Sequence, residues 1–180
     1  MTVSLSFPRN PERRVIRLGR NEITAGKGRI EMPHFGLMST EDSFRKPEGA
    51  LLRARLHIRG GKRRLTQGKI SAGIVTLYDA LIFGLRWYLT APEHREELRI
   101  HEAPDLTDEK AMIRALESSG VLDSSFDLRA FDELVEKAAY EEMPGFDYGP
   151  VLAQFESLMR RLEVMPFDEE ALPPEDPATF

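Results

Sequence analysis

Asp79 and Arg86 are the two charges inside an otherwise apolar run, ISAGIVTLYDALIFGLRWYL, from Ile70 to Leu89. They stand seven positions apart, so two helical turns bring them to one face. A charge enclosed by apolar neighbours needs partners, because water no longer solvates it. Two roles satisfy that need. One is an ion pair, or separate bonds to adjoining helices, that fixes packing register. The other is a polar anchor for a ligand, in which Tyr78, Asp79 and Arg86 would be the binding residues.

The four histidines are His34, His57, His94 and His101, of which the last two stand amid Glu93, Glu96, Glu97 and Glu102. Metal coordination on a helix asks for a tighter pattern, such as a pair four apart with a third ligand. Pro92 and Pro104 bracket the segment instead, so a solvated charged connector is expected, with no metal site. Gly26-Lys27-Gly28 and Gly60-Gly61-Lys62 lack the spacing of a phosphate-binding loop and read as turns. No GxSxG is present, and the absence of cysteine excludes thiol nucleophiles, disulfides and Cys-based metal centres. No cofactor is implied.

Arg53, Arg55, Arg59, Lys62, Arg63 and Arg64 form the densest basic cluster and make residues 45–64 the candidate nucleic-acid surface. No aromatics interleave with them, so stacking on single-stranded bases is not indicated. The net charge of −5 conceals a division that bears on this cluster. Residues 1–64 carry 15 Lys/Arg against 6 Asp/Glu, and residues 65–180 carry 10 against 24. The basic block is therefore expected to face the acidic remainder, within the chain or across subunits, with phosphates as the alternative partner.

Helices must position these groups. The apolar run shows one stripe at Ile70, Ile74, Leu77, Leu81, Leu85 and Tyr88 and a second at Tyr78, Ile82 and Leu89. Two adjoining stripes suit a helix enclosed by at least two neighbours. Its length matches a bilayer, but Asp79 and Arg86 would each cost about 2.5–3.5 kcal/mol or more at mid-depth, so no membrane span is expected. Ahead of it, helical spacing starts at Gly49, and Gly60-Gly61 predicts a bend or a break.

Downstream, Met112, Ile113 and Leu116 mark a helix capped from Asp105 or Thr107. A second, from a cap at Asp123–Ser125, carries Phe126, Leu128, Phe131, Leu134, Val135 and Ala138. A third follows Asp147 and carries Val151, Leu152, Phe155, Leu158, Met159 and Leu162. The reading is all-α: an up-and-down bundle of four to five helices over 49–165, preceded by an irregular basic arm, 1–48, and followed by a mobile acidic, Pro-rich tail, 166–180. Val15–Leu18 and Glu22–Thr24 are candidates for a small hairpin within the arm. The N-terminus has no signal-peptide run, and the location expected is cytoplasmic.

The segment ALLRARLHIRGGKRRLTQGKISAGIVTLYDALIFGLRWYL resembles the opening helix pair of HEPN domains, with an arginine-bearing helix, a glycine-containing break and a YDA helix. FDYGPVLAQFESLMRRLEVM is similar to the family's closing helix. The resemblance implies a helical, commonly dimeric protein, either an RNA-cleaving toxin or a companion of a nucleotidyltransferase that helps hold nucleotide. Cleaving members carry an arginine followed four to six residues later by a histidine. Arg86 and His94 are the nearest match, with seven residues and Pro92 between them. What is expected is a noncatalytic, homodimeric binding subunit. A metal-independent ribonuclease using Arg86 and His94 is the alternative.

Overall fold

The computed structural model describes residues 46–100 and 103–174, all within the compact unit Pro33–Phe180. The basic arm except residues 46–48, the hairpin candidate, Gly26–Gly28, His34, His101 and residues 175–180 lie outside the described residues. Those described form five α-helices and no strand: α1 Pro47–Thr66, α2 Ile70–Thr90, α3 Glu109–Ser118, α4 Leu128–Tyr140 and α5 Gly149–Arg161. The chain is all-α.

α1 runs unbroken through Gly60-Gly61, against the expected turn or break. Both glycines are buried, and at Gly61 the missing side chain lets α2 come close. A Cβ on Gly61 would stand 2.8 Å from Leu77 Cδ2, and one on Gly73 would stand 2.7 Å from Leu65 Cγ. The two glycines thus serve as reciprocal sockets for two core leucines. Packing gained along this seam outweighs the propensity of about 1 kcal/mol that each glycine forfeits.

α2 is the central element, packed against α1, α3 and α4. Ile74, Leu77, Leu81 and Leu85 are each 1% exposed or less, which accounts for a run with so little polar surface. It is the one described helix long and apolar enough to cross a membrane, yet its burial within the fold is that of a core helix. α3 contributes Met112 and Leu116, α4 Phe131 and Val135, and α5 Phe155 and Met159 to the same core. Phe131 joins α4 to α5 with its ring 6.0 Å from that of Phe155.

The caps fall a few residues from where the sequence suggested. Asp108 caps α3 by accepting from the amides of Lys110 and Ala111, while Asp105 instead closes a turn onto Thr107. Asp127 caps α4, accepting from Ala130, and Asp123 closes a turn onto Ser125. α1 and α3 end with Gly68 and Gly120 at φ +76°, where glycine carries no Cβ penalty. α5 ends the same way, with Val164 N–H donating to the Met159 carbonyl, but the left-handed residue is Glu163 at φ 55°.

From the end of α5 to residue 174 the chain stays on the protein, against the expectation of a mobile tail from residue 166. Val164 is fully buried, and Met165 and Phe167 pack on the core. Arg55 of α1 donates to the Val164 carbonyl at 3.0 Å and lies over the Phe167 ring, while Arg59 donates to the Pro173 carbonyl at 2.7 Å.

Candidate functional site

α2, α3 and α4 enclose a cleft of about 210 Å³. Leu81, Ile113, Leu128 and Phe131 form its apolar wall, and Tyr78, Glu109 and Asp132 supply polar groups, with Lys110 and Arg129 also on the lining. The Asp108 cap fixes the first turn of α3 and thereby directs Glu109 toward α2. The Tyr78 hydroxyl donates to the Glu109 carboxylate. Burial raises the pKa of Glu109, and the nearby Asp132 carboxylate adds to the rise, while the Tyr78 bond opposes it. The Tyr78 hydroxyl is pushed well above its ordinary value by burial, its bond to Glu109 and the charges of Glu109, Asp132 and Asp79. The cleft thus joins apolar walls to two carboxylates and two cations, Lys110 and Arg129, and the carboxylate that Tyr78 orients on its α2 flank is an acceptor for a cationic or hydrogen-bond-donating group.

Of the three ligand-binding candidates, only Tyr78 lines this cleft. Asp79 is exposed, which corrects the expectation that the apolar run encloses it, while partial desolvation of its carboxyl by the surrounding chain raises its pKa. Arg86 is half-buried, donates from Nε to the Leu106 carbonyl at 3.0 Å and lies 5.5 Å over the Phe83 ring. Its bond reaches the connector ahead of α3, in keeping with a packing role.

The basic cluster is drawn into the fold. Arg53 lies over Phe83, whose ring also stacks on His57 at 5.5 Å. Arg55 and Arg59 hold the C-terminal segment, and Lys62 pairs with Glu156 of α5 at 2.9 Å. Arg63 and Arg64 are half-buried in the last turn of α1, and burial together with each other's neighbourhood lowers the pKa of Arg63. His57, flanked by Arg53 and Arg64 and shielded from water, has its pKa drawn down to about 4, burial being the larger cause. Arg55 and Arg59 thus meet backbone carbonyls of the C-terminal segment, and Lys62 meets an acid of α5.

His94 is 2% exposed, which corrects its assignment to a solvated connector. Its ring stacks on Tyr88 at 3.9 Å and meets Trp87 edge-on at 5.6 Å. Its Nε2 has no hydrogen-bond partner and faces the Glu163 carboxylate at 4.0 Å. Arg86 and His94 share no bond or ring contact among the described residues. No group of three His, Asp or Glu side chains among those residues is arranged to hold a metal.

Sequence reasoning missed Glu109 and Asp132 as site residues. Glu109 reads as a first-turn acid serving the helix dipole, and Asp132 as one of many exposed acids on α4. The available signal was Tyr78, whose hydroxyl on an apolar stripe required an acceptor from a neighbouring helix. No protein-family model, curated protein or solved structure matches the chain.

Proposed function

We propose that this chain is a noncatalytic helical binding subunit, HEPN-like in type, whose cleft between α2, α3 and α4 accepts a cationic side chain of a partner protein. The observation that carries the reading is Tyr78 joined to Glu109 on the lining of an apolar-walled cleft, with Asp132 alongside. An arginine or lysine fits that chemistry, since its aliphatic stem suits Leu81, Ile113 and Phe131 while its head meets the carboxylates. A nucleotide fits less well where its phosphates would face Glu109 and Asp132, with Lys110 and Arg129 on the same lining as the groups that would have to offset them. In this reading the companion role implied by the HEPN resemblance, with a nucleotidyltransferase as partner, is served by protein contact rather than by nucleotide. The subunit is a cytoplasmic homodimer built as an up-and-down bundle, with its basic arm at 1–48 and an acidic tail.

Two observations support a noncatalytic role over a ribonuclease. His94 is enclosed by Tyr88 and Trp87, and a general acid or base must reach the proton that it moves. Arg86 is engaged with Phe83 and Leu106. A phosphate-backbone binder working through residues 45–64 is likewise disfavoured, because Arg55, Arg59 and Lys62 have intramolecular partners.

The test is calorimetric titration of the protein with a short arginine-containing peptide and, separately, with ATP. Binding of the peptide that is weakened in Glu109→Gln and Asp132→Asn, with no heat from ATP, is the expected result. Binding of ATP that survives those substitutions would sink the cleft assignment. RNA cleavage by the wild type that is lost in Arg86→Ala and His94→Ala would replace this reading with the ribonuclease.

A further inference from the structure

Two neighbouring rings each carry a buried nitrogen with no hydrogen-bond partner among the described residues: Nε2 of His94 and Nε1 of Trp87. Buried polar atoms are nearly always satisfied, so an orphan of this kind calls for a physical account. His94 closes the single 3₁₀ turn Pro92–His94 that follows α2, and it is 2% exposed. Its ring lies flat on that of Tyr88, within 5° of parallel, which fixes the plane of the imidazole. The carboxylate of Glu163 faces Nε2 from 4.0 Å, beyond hydrogen-bond reach.

Glu163 is free to close that gap. Its side chain is 62% exposed and makes no other ion pair or hydrogen bond among the described residues. Its left-handed backbone, at φ 55°, turns the chain from α5 into the buried Val164. A neutral imidazole gains little if the carboxylate moves in. A protonated one gains a charge-assisted bond for its buried Nε2–H, at roughly 2.8 Å and about twice as strong as a neutral bond. The other groups around His94 favour the same change. Tyr88 presents a ring face, which attracts a cation, and its hydroxyl donates to the Glu97 carboxylate at 2.6 Å. Burial, that bond and the charges of Glu97 and Glu163 raise the pKa of Tyr88, so both carboxylates are felt at this stack. Glu93 and Arg95, of opposite sign, flank His94 in the chain.

We infer that His94 and Glu163 form an acid-closed latch: when His94 takes up a proton, the Glu163 carboxylate moves onto Nε2 and ties the turn after α2 to the end of α5. The latch lies where the C-terminal segment departs, one residue ahead of the Val164 carbonyl that Arg55 of α1 holds. Closing it anchors the origin of that segment at a second point. The pair adds stability on the acid side of the transition and loses it as pH rises, the reverse of His57. The latch is independent of the cleft and of the homodimer.

Trp87 is the only tryptophan and meets the His94 ring edge-on at 5.6 Å, so its fluorescence reports the charge on that imidazole. Emission of the intact protein is followed from about pH 8 to about pH 5, the range in which histidine ordinarily changes charge. The wild type is expected to show one step, as the imidazolium forms and quenches the indole. Glu163→Gln keeps the size of the side chain and removes its charge. Its midpoint should fall by about one pH unit, a ten-fold loss of proton affinity. His94→Phe, which keeps a ring on Tyr88, should abolish the step. The far-ultraviolet helical signal over the same range separates ionisation from unfolding. A wild type without a step, or a step that Glu163→Gln leaves at the same pH, overturns the latch. A step that persists in His94→Phe belongs to another group and overturns it as well. Should His94→Phe fail to fold, the comparison of the wild type with Glu163→Gln decides alone.

Discussion

Gly73→Ala opposes two effects that the seam between α1 and α2 sets against each other. Alanine is the better helix former by about 1 kcal/mol, so on an open helix the substitution stabilises. At Gly73 the new methyl would stand 2.7 Å from both Cγ and Cδ2 of Leu65 and 3.1 Å from its backbone nitrogen. Leu65 is 2% exposed, and Cγ is a branch point that moves only with the whole side chain. The helices must separate or Leu65 must leave its rotamer, and overpacking of this kind costs about 1–3 kcal/mol. The cost outweighs the gain, so a net loss of up to about 2 kcal/mol is expected, a fall of up to roughly 5 °C in Tm for a chain of this size.

Gly84→Ala is the matched control, because its methyl meets the Cε of Met159 at 2.9 Å, the free end of a flexible side chain. That variant should be neutral or slightly more stable. Urea denaturation of the three proteins, read by the far-ultraviolet helical signal, measures both values. Gly73→Ala that matches Gly84→Ala, or gains stability, would refute the close approach.

Arg59→Ala removes a bond to the Pro173 carbonyl, and limited proteolysis should then cut within residues 168–174 sooner than in the wild type, with the helices intact. His57 is held neutral in the fold with its pKa near 4 against an ordinary 6.5, so the folded state binds fewer protons than the unfolded. Its contribution is complete above pH 6.5 and is lost as pH falls toward 4, on the order of 3 kcal/mol; His57→Phe, which keeps a ring against Phe83, should flatten that part of a stability–pH profile. Glu109 has the opposite sign, with its pKa raised in the fold, so stability declines as pH rises from the ordinary carboxylate value through the folded one. Glu109→Gln should remove that decline in the same assay. Glu163→Gly relieves a left-handed residue and should add about 1 kcal/mol, read by thermal unfolding.

Apolar periodicity made the helices legible. Ile74, Leu77, Leu81 and Leu85 announced an enclosed helix because a 3.6-residue repeat of leucine and isoleucine has no other stable use. Phe131 and Val135 of α4 and Phe155 and Met159 of α5 did the same. What the sequence did not reveal were the effects that depend on a neighbour. Gly60-Gly61 reads as a break by propensity, and only Leu77 opposite makes it a socket. His94 sits in a charged stretch, and burial beneath Tyr88 and Trp87 is a tertiary fact. The fate of the basic cluster was half legible: charge balance pointed inward, but the specific acceptors, the carbonyls of Val164 and Pro173, carry no sequence signal at all. For the same reason Tyr78 could be singled out while its acceptor, Glu109, could not.

Everything proposed for this protein hangs on α2 lying inside the fold, with the cleft on one flank. Hydrogen exchange of the intact protein in lipid-free buffer, read by mass spectrometry, tests this most directly. Amides from Gly73 to Leu89 should exchange most slowly, only as the whole molecule unfolds, and well behind those of residues 168–174. Exchange of that stretch as fast as the C-terminal segment, or protection that arises only after micelles are added, would contradict it.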